Sequence, residues 1–507
     1  MNPEPATAPS RRSRAYLYLV SAVGLITAGL VWYSQTMAFA WDEGFHLLCA
    51  QLIKAGLRPY IDFAFSQAPL NAYWNAFWMT LFGETWRPAH AVAAVCVGGA
   101  VLLTADYLFE RLPVPRWRLA AALVGAVLLG LNVQVVDFGT VGQAYGVCLL
   151  LSVAAFRLAV ASVDRRGAAL AAAAGLASGA AAGASLLTAP LAPVLLLWML
   201  VVNRAGRRVV KGAAFVAGVV VALLPLLALY VQSPRNVRFG VLEYNMLYRT
   251  LEWQGAWRQN FEVYISWIDS TTALLLILFG VAGLLFVAFR CDWERRLRSE
   301  FYLCGCLAAA LGVHISTARP TFSRYYLMAV PFLAILGAAG LYWVATRLHH
   351  PERPLGPALA LILLMALAQG KSLYDARDDF SWRTFDNLSK KVAEVTPPGA
   401  KLRADEHVYL LTKIRPPSGM ELNDSHKLDF PPALAAQLHL MSNKELERRF
   451  KAGEFDTYQT CDDDADIDFP AMESLYAHQA EVDACHVFWG VKHKTTPPPA
   501  PAPGSKP

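Results

Sequence analysis

One pattern constrains this chain more than any other: apolar runs long enough to cross a bilayer recur from Ala15 to Gln369, separated by short segments that are alternately basic and poor in charge. A helix rises about 1.5 Å per residue, so roughly 20 apolar residues span a hydrocarbon core. Within lipid the backbone must satisfy its own hydrogen bonds, and runs of this length do so as helices. With 55% hydrophobic and 17% charged residues among 507, the chain is too apolar and too sparsely charged for an ordinary soluble protein. Its net charge of +6 is therefore read loop by loop, as a topology signal, and no nucleic-acid partner is expected.

The basic N-terminus MNPEPATAPSRRSR places the first run, Ala15 to Tyr33, as an inside-to-outside span, and a cleaved signal peptide is disfavoured by the missing small-residue cleavage pattern. Pro69 to Phe82 is short and rich in Trp, Tyr and Asn, so it is expected to lie along the outer surface, within a large outer loop from Ser34 to Pro88. If it crossed, the cluster Arg111, Arg116, Arg118 would face the wrong side. Further spans are expected at 89–109, 119–136 and 144–161, then a block from Gly167 to Val202 split near Leu186 to Pro190 into two short Gly- and Ala-rich helices. Such helices either line a cavity or pack closely through their small residues. Spans at 212–230, 271–289, 301–317, 325–346 and 355–369 complete about eleven, with a second outer loop from Val231 to Asp269.

After Gly370 charges appear throughout, and a small α/β domain is expected over 371–494, followed by a disordered Pro-rich tail, 495–507. LRADEHVYLL and FDTYQTC have the look of strands, WRTFDNLSKKVAEV and SNKELERRFKAG that of helices. The fold class is thus mainly α: a polytopic membrane region, 1–370, with juxtamembrane helices on its outer face, plus the C-terminal domain. Cys461 and Cys485 fall in that outer domain, where a disulfide is an open alternative to two free thiols. No cysteine or histidine spacing demands a metal, and no cofactor is expected, although a divalent cation stays open.

This topology collects polar groups on one side of the membrane. The first outer loop carries Asp42, Glu43, His46, Arg58, Tyr60, Asp62 and Gln67; VVDFGTVGQ brings Asp137 and Gln143; the loop after residue 231 brings Glu243, Tyr244, Asn245, Arg249, Glu252, Trp253, Trp257 and Arg258; ARPTFSRYY brings Arg319, Arg324, Tyr325 and Tyr326. A carboxylate can accept the proton of an attacking hydroxyl, an arginine can hold a departing phosphate, and aromatic faces can hold an apolar chain or a sugar ring. For any one of them the plainer alternative is a solvated helix start, an interface anchor or an aromatic belt.

The strings WDEGFH, GLRPYID and SQAPLNAYWNAFWMTLFG resemble the first outer loop of the GT-C glycosyltransferases, nearest to the lipid A aminoarabinose and galacturonic acid transferases and more distantly to the protein O-mannosyltransferases. RPTFSRYYLMAVPFLAILGAAGL is similar to that family's late segment. The resemblance implies an inverting transfer of a sugar from a polyprenyl-phosphate donor to a hydroxyl of a glycan, lipid or protein acceptor, at the outer face of the plasma (inner) membrane. It places Asp42 as the catalytic base and Glu43 as its partner in the DE pair. Where the family has a further acid near the fourth span this chain has Gln143, so Asp137 is the favoured substitute. Gln67 and Ala68 stand before Pro69 where the family often has a basic residue and a second proline, so the donor phosphate must be held from elsewhere, with Arg58, Arg319 and Arg324 as candidates. His46, Tyr60, Asp62, Gln67, Gln143 and Tyr325 are the remaining substrate-binding candidates. A transporter or lipid-linked-sugar flippase is the alternative; against it stand the few ionisable residues within the spans and the lack of an internal repeat.

Overall fold

In a computed structural model, which describes residues 9–36, 42–164, 167–203, 205–246, 256–318, 321–348, 354–376, 382–422, 428, 430–461 and 469–494, the apolar runs are helices. Eight among the described residues are long and apolar enough to cross a membrane: Arg12–Ser34, Trp86–Arg111, Tyr145–Asp164, Arg207–Gln232, Thr271–Phe289, Arg295–Ser316, Ser323–Leu348 and Leu355–Asp375. A bent pair, Pro115–Gly130 and Val133–Gly139, meets at 55°. The bend falls where Asn132 leaves the helical conformation (φ −72°, ψ 130°) and its side chain accepts a hydrogen bond from Gln134 N, starting a new helix. Two shorter apolar helices, Ala169–Ala184 and Leu186–Val202, account for the split block. Each of the eleven expected runs corresponds to one of these helices or to the bent pair.

The chain divides into two compact units, one of residues 1–35, 90–224 and 255–378, the other of 36–89, 225–254 and 379–507. In the first, small residues let helices touch backbone to backbone. A Cβ on Gly175 would lie 1.9 Å from Phe215 O, and one on Gly218 would lie 2.0 Å from Ala172 O. The Gly- and Ala-rich block therefore packs closely against its neighbour. The same unit contains a buried ion cluster. Glu300, fully buried, accepts from Tyr107 Oη at 3.0 Å and lies 3.6 Å from Arg111 Nε and 3.3 Å from Arg296 Nε. Arg111 also reaches Asp164 at 2.9 Å, so the cluster ties three helix ends together.

In the second unit the helix Leu70–Phe82 buries Asn71, Ala72, Asn75, Ala76 and Met79 and exposes Phe77, Leu81 and Phe82. Small groups face protein and large aromatic ones face out, as suits an interfacial helix. A four-stranded sheet follows from Leu402–Arg403 (β1), Thr457–Cys461 (β2), Tyr476–Val482 (β3) and Cys485–Val491 (β4), in the order β1-β2-β4-β3. β1 and β2 run parallel, and the other pairs are antiparallel. Cys461 and Cys485 are direct partners at the end of the β2–β4 ladder and are bonded as a disulfide.

FDTYQTC is a strand and the two expected helices form, as Trp382–Val395 and Asn443–Lys451. LRADEHVYLL is not one strand: only Leu402–Arg403 pairs, and Glu406–Thr412 is helical. Asp405 keeps an extended backbone (φ −75°, ψ 158°) that starts the helix. Tyr409 Oη then folds back to donate to Leu402 O at 2.9 Å and accept from Ala404 N at 3.0 Å.

Candidate functional site

The acid pair opens the helix Glu43–Lys54, most of which is buried. Its end is set by Gly56, whose φ of +89° an L side chain would resist. Gly56 N bonds Ile53 O at 2.9 Å and Leu57 N bonds Leu52 O at 3.0 Å, the paired bonds of a Schellman cap. Gly44 allows a close approach: a Cβ there would sit 3.1 Å from His407 N, tighter than most Cβ contacts, so this helix rests directly on the helix Glu406–Thr412. Lys54 closes the last turn against Glu84 at 2.6 Å.

Asp42 and Glu43 differ in setting. Asp42 is exposed at the N-cap position, with φ −70° and ψ 7°, while Glu43 in the first turn is fully buried. A helix N-terminus favours negative charge at both. One turn on, His46 is buried, stacked on Phe45 at 4.3 Å and edge-on to Phe65 at 6.0 Å. Its Nδ1 has no hydrogen-bond partner among the described residues. Desolvation pulls its pKa down to about 4, overriding the upward pull of Asp42 and Glu43. His46 is a neutral imidazole beside two acids.

The loop after this helix is braced from within. Tyr60 takes a left-handed backbone (φ 65°), is buried, and donates its hydroxyl to Gln67 O. Asn236 Nδ2 donates to Tyr60 O at 3.0 Å and Asn245 Nδ2 to Ser66 O at 2.8 Å. Arg58, exposed, forms an ion pair with Asp62 at 3.1 Å and also donates to Gln232 Oε1 at 3.2 Å. The bonds from Arg58 hold the Asp62 carboxyl below the usual carboxylate range. Arg58, Tyr60, Asp62 and Gln67 are thus engaged with their own loop.

In the other unit Asp137 accepts from Tyr33 Oη at 3.0 Å, and Gln143 is buried. Arg324 is buried among aromatic rings, its guanidinium carbon 4.2 Å from the centre of Phe322, 5.7 Å from Tyr325 and 5.8 Å from Phe138. Tyr325 also faces Tyr145 at 6.5 Å. Val133–Gly139 and the turn Ser323–Ala329 thereby bring together Asp137's helix, Arg324 and Tyr325. Arg319, Arg249, Glu252, Trp253 and the tail 495–507 lie outside the described residues. Asn236 and Gly44 were not anticipated as loop and helix supports; the glycine within WDEGF was their only sequence signal. Among the described residues no group of three His, Cys, Asp or Glu side chains is arranged to hold a metal ion.

The architecture is shared, as a fold, with solved structures. Across 94% of its length the chain is similar to ArnT from Cupriavidus metallidurans in the apo state, with a TM-score of 0.66, 15% identity and 98% of that chain covered. It is similar to the same protein bound to undecaprenyl phosphate, with a TM-score of 0.63, 15% identity, and 93% and 97% of the two chains covered. The apo Archaeoglobus fulgidus oligosaccharyltransferase follows at a TM-score of 0.51 and 14% identity, over 88% of this chain and 69% of that one. No protein-family model and no curated protein sequence matches the chain. At these identities the likeness is one of fold.

Proposed function

We propose that this protein is an integral-membrane inverting glycosyltransferase that moves a sugar from a polyprenyl-phosphate donor to a hydroxyl acceptor at the outer face of the plasma membrane. The N-terminus is cytoplasmic, and 371–494 forms an extracytoplasmic domain. The observation that carries the reading is an exposed aspartate, Asp42, at the head of a buried helix in a chain that shares nearly its whole fold with a protein solved with undecaprenyl phosphate.

Asp42 takes the proton of the acceptor hydroxyl as its oxygen attacks the anomeric carbon from the face opposite the phosphate. The new glycosidic bond forms as the anomeric carbon–phosphate oxygen bond breaks, and the phosphate leaves on the polyprenyl chain. Arg324, a guanidinium set among aromatic rings, holds the leaving phosphate, with Arg319 as a second cation. Glu43 anchors the first turn beneath Asp42. His46 supplies a neutral polar edge to the acceptor. Tyr60, Gln67, Arg58 and Asp62 keep their own loop in shape, while Asp137, Gln143 and Tyr325 are the substrate contacts proposed from the spans. The acceptor is a glycolipid, lipopolysaccharide, polysaccharide or protein.

Mass spectrometry of envelope glycans and glycolipids, with and without the protein, should reveal one missing sugar that Asp42→Asn does not restore. Removal of a general base costs about a hundredfold or more in rate. Movement of the lipid-linked sugar across vesicles, with no transfer, would replace this reading with that of a flippase.

A further inference from the structure

Within the first unit, the helix Ala256–Asp269 runs into the span Thr271–Phe289 across a single residue. That residue, Ser270, is extended (φ −72°, ψ 130°), and its side chain accepts from Ala273 N at 3.3 Å, so one helix stops and the next starts at the same place. The junction fixes the level of the shorter helix. Its last turn lies at the end of a membrane-crossing segment, where hydrocarbon gives way to headgroups. At about 1.5 Å per residue its 14 residues reach only about 21 Å, too short to cross unaided.

Around its axis this helix has three kinds of surface. With about 100° between successive residues, Phe261, Ile265 and Ile268 fall on one narrow flank, where they are 61%, 54% and 37% exposed. Arg258, Glu262, Ser266 and Asp269 form the neighbouring flank and are exposed too. The remaining side faces protein. Trp267 is buried and stacks on Tyr326 at 4.9 Å, Tyr264 lies 5.2 Å from the same ring, and Asn260 Nδ2 donates to Ser316 O at 3.1 Å. An apolar flank beside a polar one, both open, suits a helix lying in the boundary plane, with acyl chains on one side and water on the other. The exposed charges of Arg258, Glu262 and Asp269 oppose immersion in hydrocarbon. Size opposes a protein partner: the flank is one side chain wide, whereas a stable protein interface takes about 20–30 residues a side. The adjoining span supplies continuity, since Leu274, Leu278, Val281 and Leu285 lie exposed along a single stripe that a spanning helix turns to lipid. We propose that Ala256–Asp269 lies on the membrane, with the Phe261, Ile265 and Ile268 flank seated among the headgroups and first acyl carbons of one leaflet. Under the proposed topology that is the outer leaflet, and Trp267 ties its surface to the turn Ser323–Ala329, which carries Arg324 and Tyr325. The seat requires only that the adjoining segment span the membrane, so it stands or falls apart from the sugar transfer.

The test is nitroxide scanning of the full-length protein in nanodiscs of phosphatidylcholine and phosphatidylglycerol, with the exposed Cys306 replaced by serine and the other free cysteines buried. Phe261→Cys, Glu262→Cys, Ile265→Cys and Ser266→Cys each receive one spin label. Collisions of the label with oxygen, which concentrates in lipid, are compared with those of a water-soluble nickel chelate. The oxygen-to-nickel ratio at Phe261→Cys and Ile265→Cys should exceed that at Glu262→Cys and Ser266→Cys severalfold. Equal ratios within the pairs would overturn the proposal, because the helix would then stand clear in water. Exclusion of both reagents from Phe261→Cys and Ile265→Cys would also overturn it, because protein would then cover the flank. If the labelled variants do not fold, the unaltered protein decides: phosphatidylcholine with a diazirine on its first acyl carbons should label the peptide that holds Phe261 and Ile265, and an unlabelled peptide would count against the seat.

Discussion

Two adjacent acids, one exposed and one buried, should fail differently when altered. Asp42→Asn is expected to abolish most transfer while leaving the melting temperature unchanged. Glu43→Ala, which removes a fully buried carboxylate, should cost about 1–3 kcal/mol of stability by thermal melting. His46 adds a pH signature. Its folded pKa, about 4, is below the ordinary 6.5 of an unfolded histidine, so the unfolded chain binds the proton first as pH falls. The stability it contributes is fully present above pH 6.5 and is lost as pH falls toward 4, by roughly 3 kcal/mol for a shift of this size. Melting curves of His46→Phe between pH 7 and 4.5 should be correspondingly flatter than those of the unaltered protein. Asp42 and Glu43 were visible in the sequence as candidates, whose roles are a proposal, because an acid pair just beyond an apolar run is costly to place without a task. The engagement of Tyr60 with Gln67 was not, because it depends on a left-handed backbone at a tyrosine, which the letter itself does not advertise.

The apolar runs were the most legible elements, since length and periodicity alone define a spanning helix. The close packing of the split block was visible as an abundance of glycine and alanine, but which glycines touch is a matter of helix rotation. Gly175→Leu would force a side chain into the Phe215 carbonyl and should cost about 1–3 kcal/mol or prevent folding, measured by melting in detergent. The short elements of the C-terminal region were harder. LRADEHVYLL alternates like a strand, but Tyr409 closes a hydrogen-bonded turn that turns it into a helix, an outcome decided by side-chain partners rather than period. The hairpin of β3 and β4 went unread because YAHQAEV has little apolar alternation. The disulfide closes β2 onto β4 across a separation of 24 residues. Replacing both Cys461 and Cys485 with alanine should cost about 3 kcal/mol by the loop-closure relation, seen as a lower melting temperature.

For the whole molecule, the acid helix rests on late sequence: a Cβ on Gly44 would lie 3.1 Å from the backbone nitrogen of His407. A chain stopped after residue 376 would retain every charged group named for the chemistry, from Asp42 to Arg324, yet lack the segment on which the acid helix lies. Such a truncation, inserted into membranes, should transfer no sugar in the assay that reports on Asp42→Asn. The order of synthesis adds a further consequence. The helix Glu43–Lys54 is made early and the helix it rests on, Glu406–Thr412, late, so the packing at Gly44 can form only after residue 412 of 507 has been made.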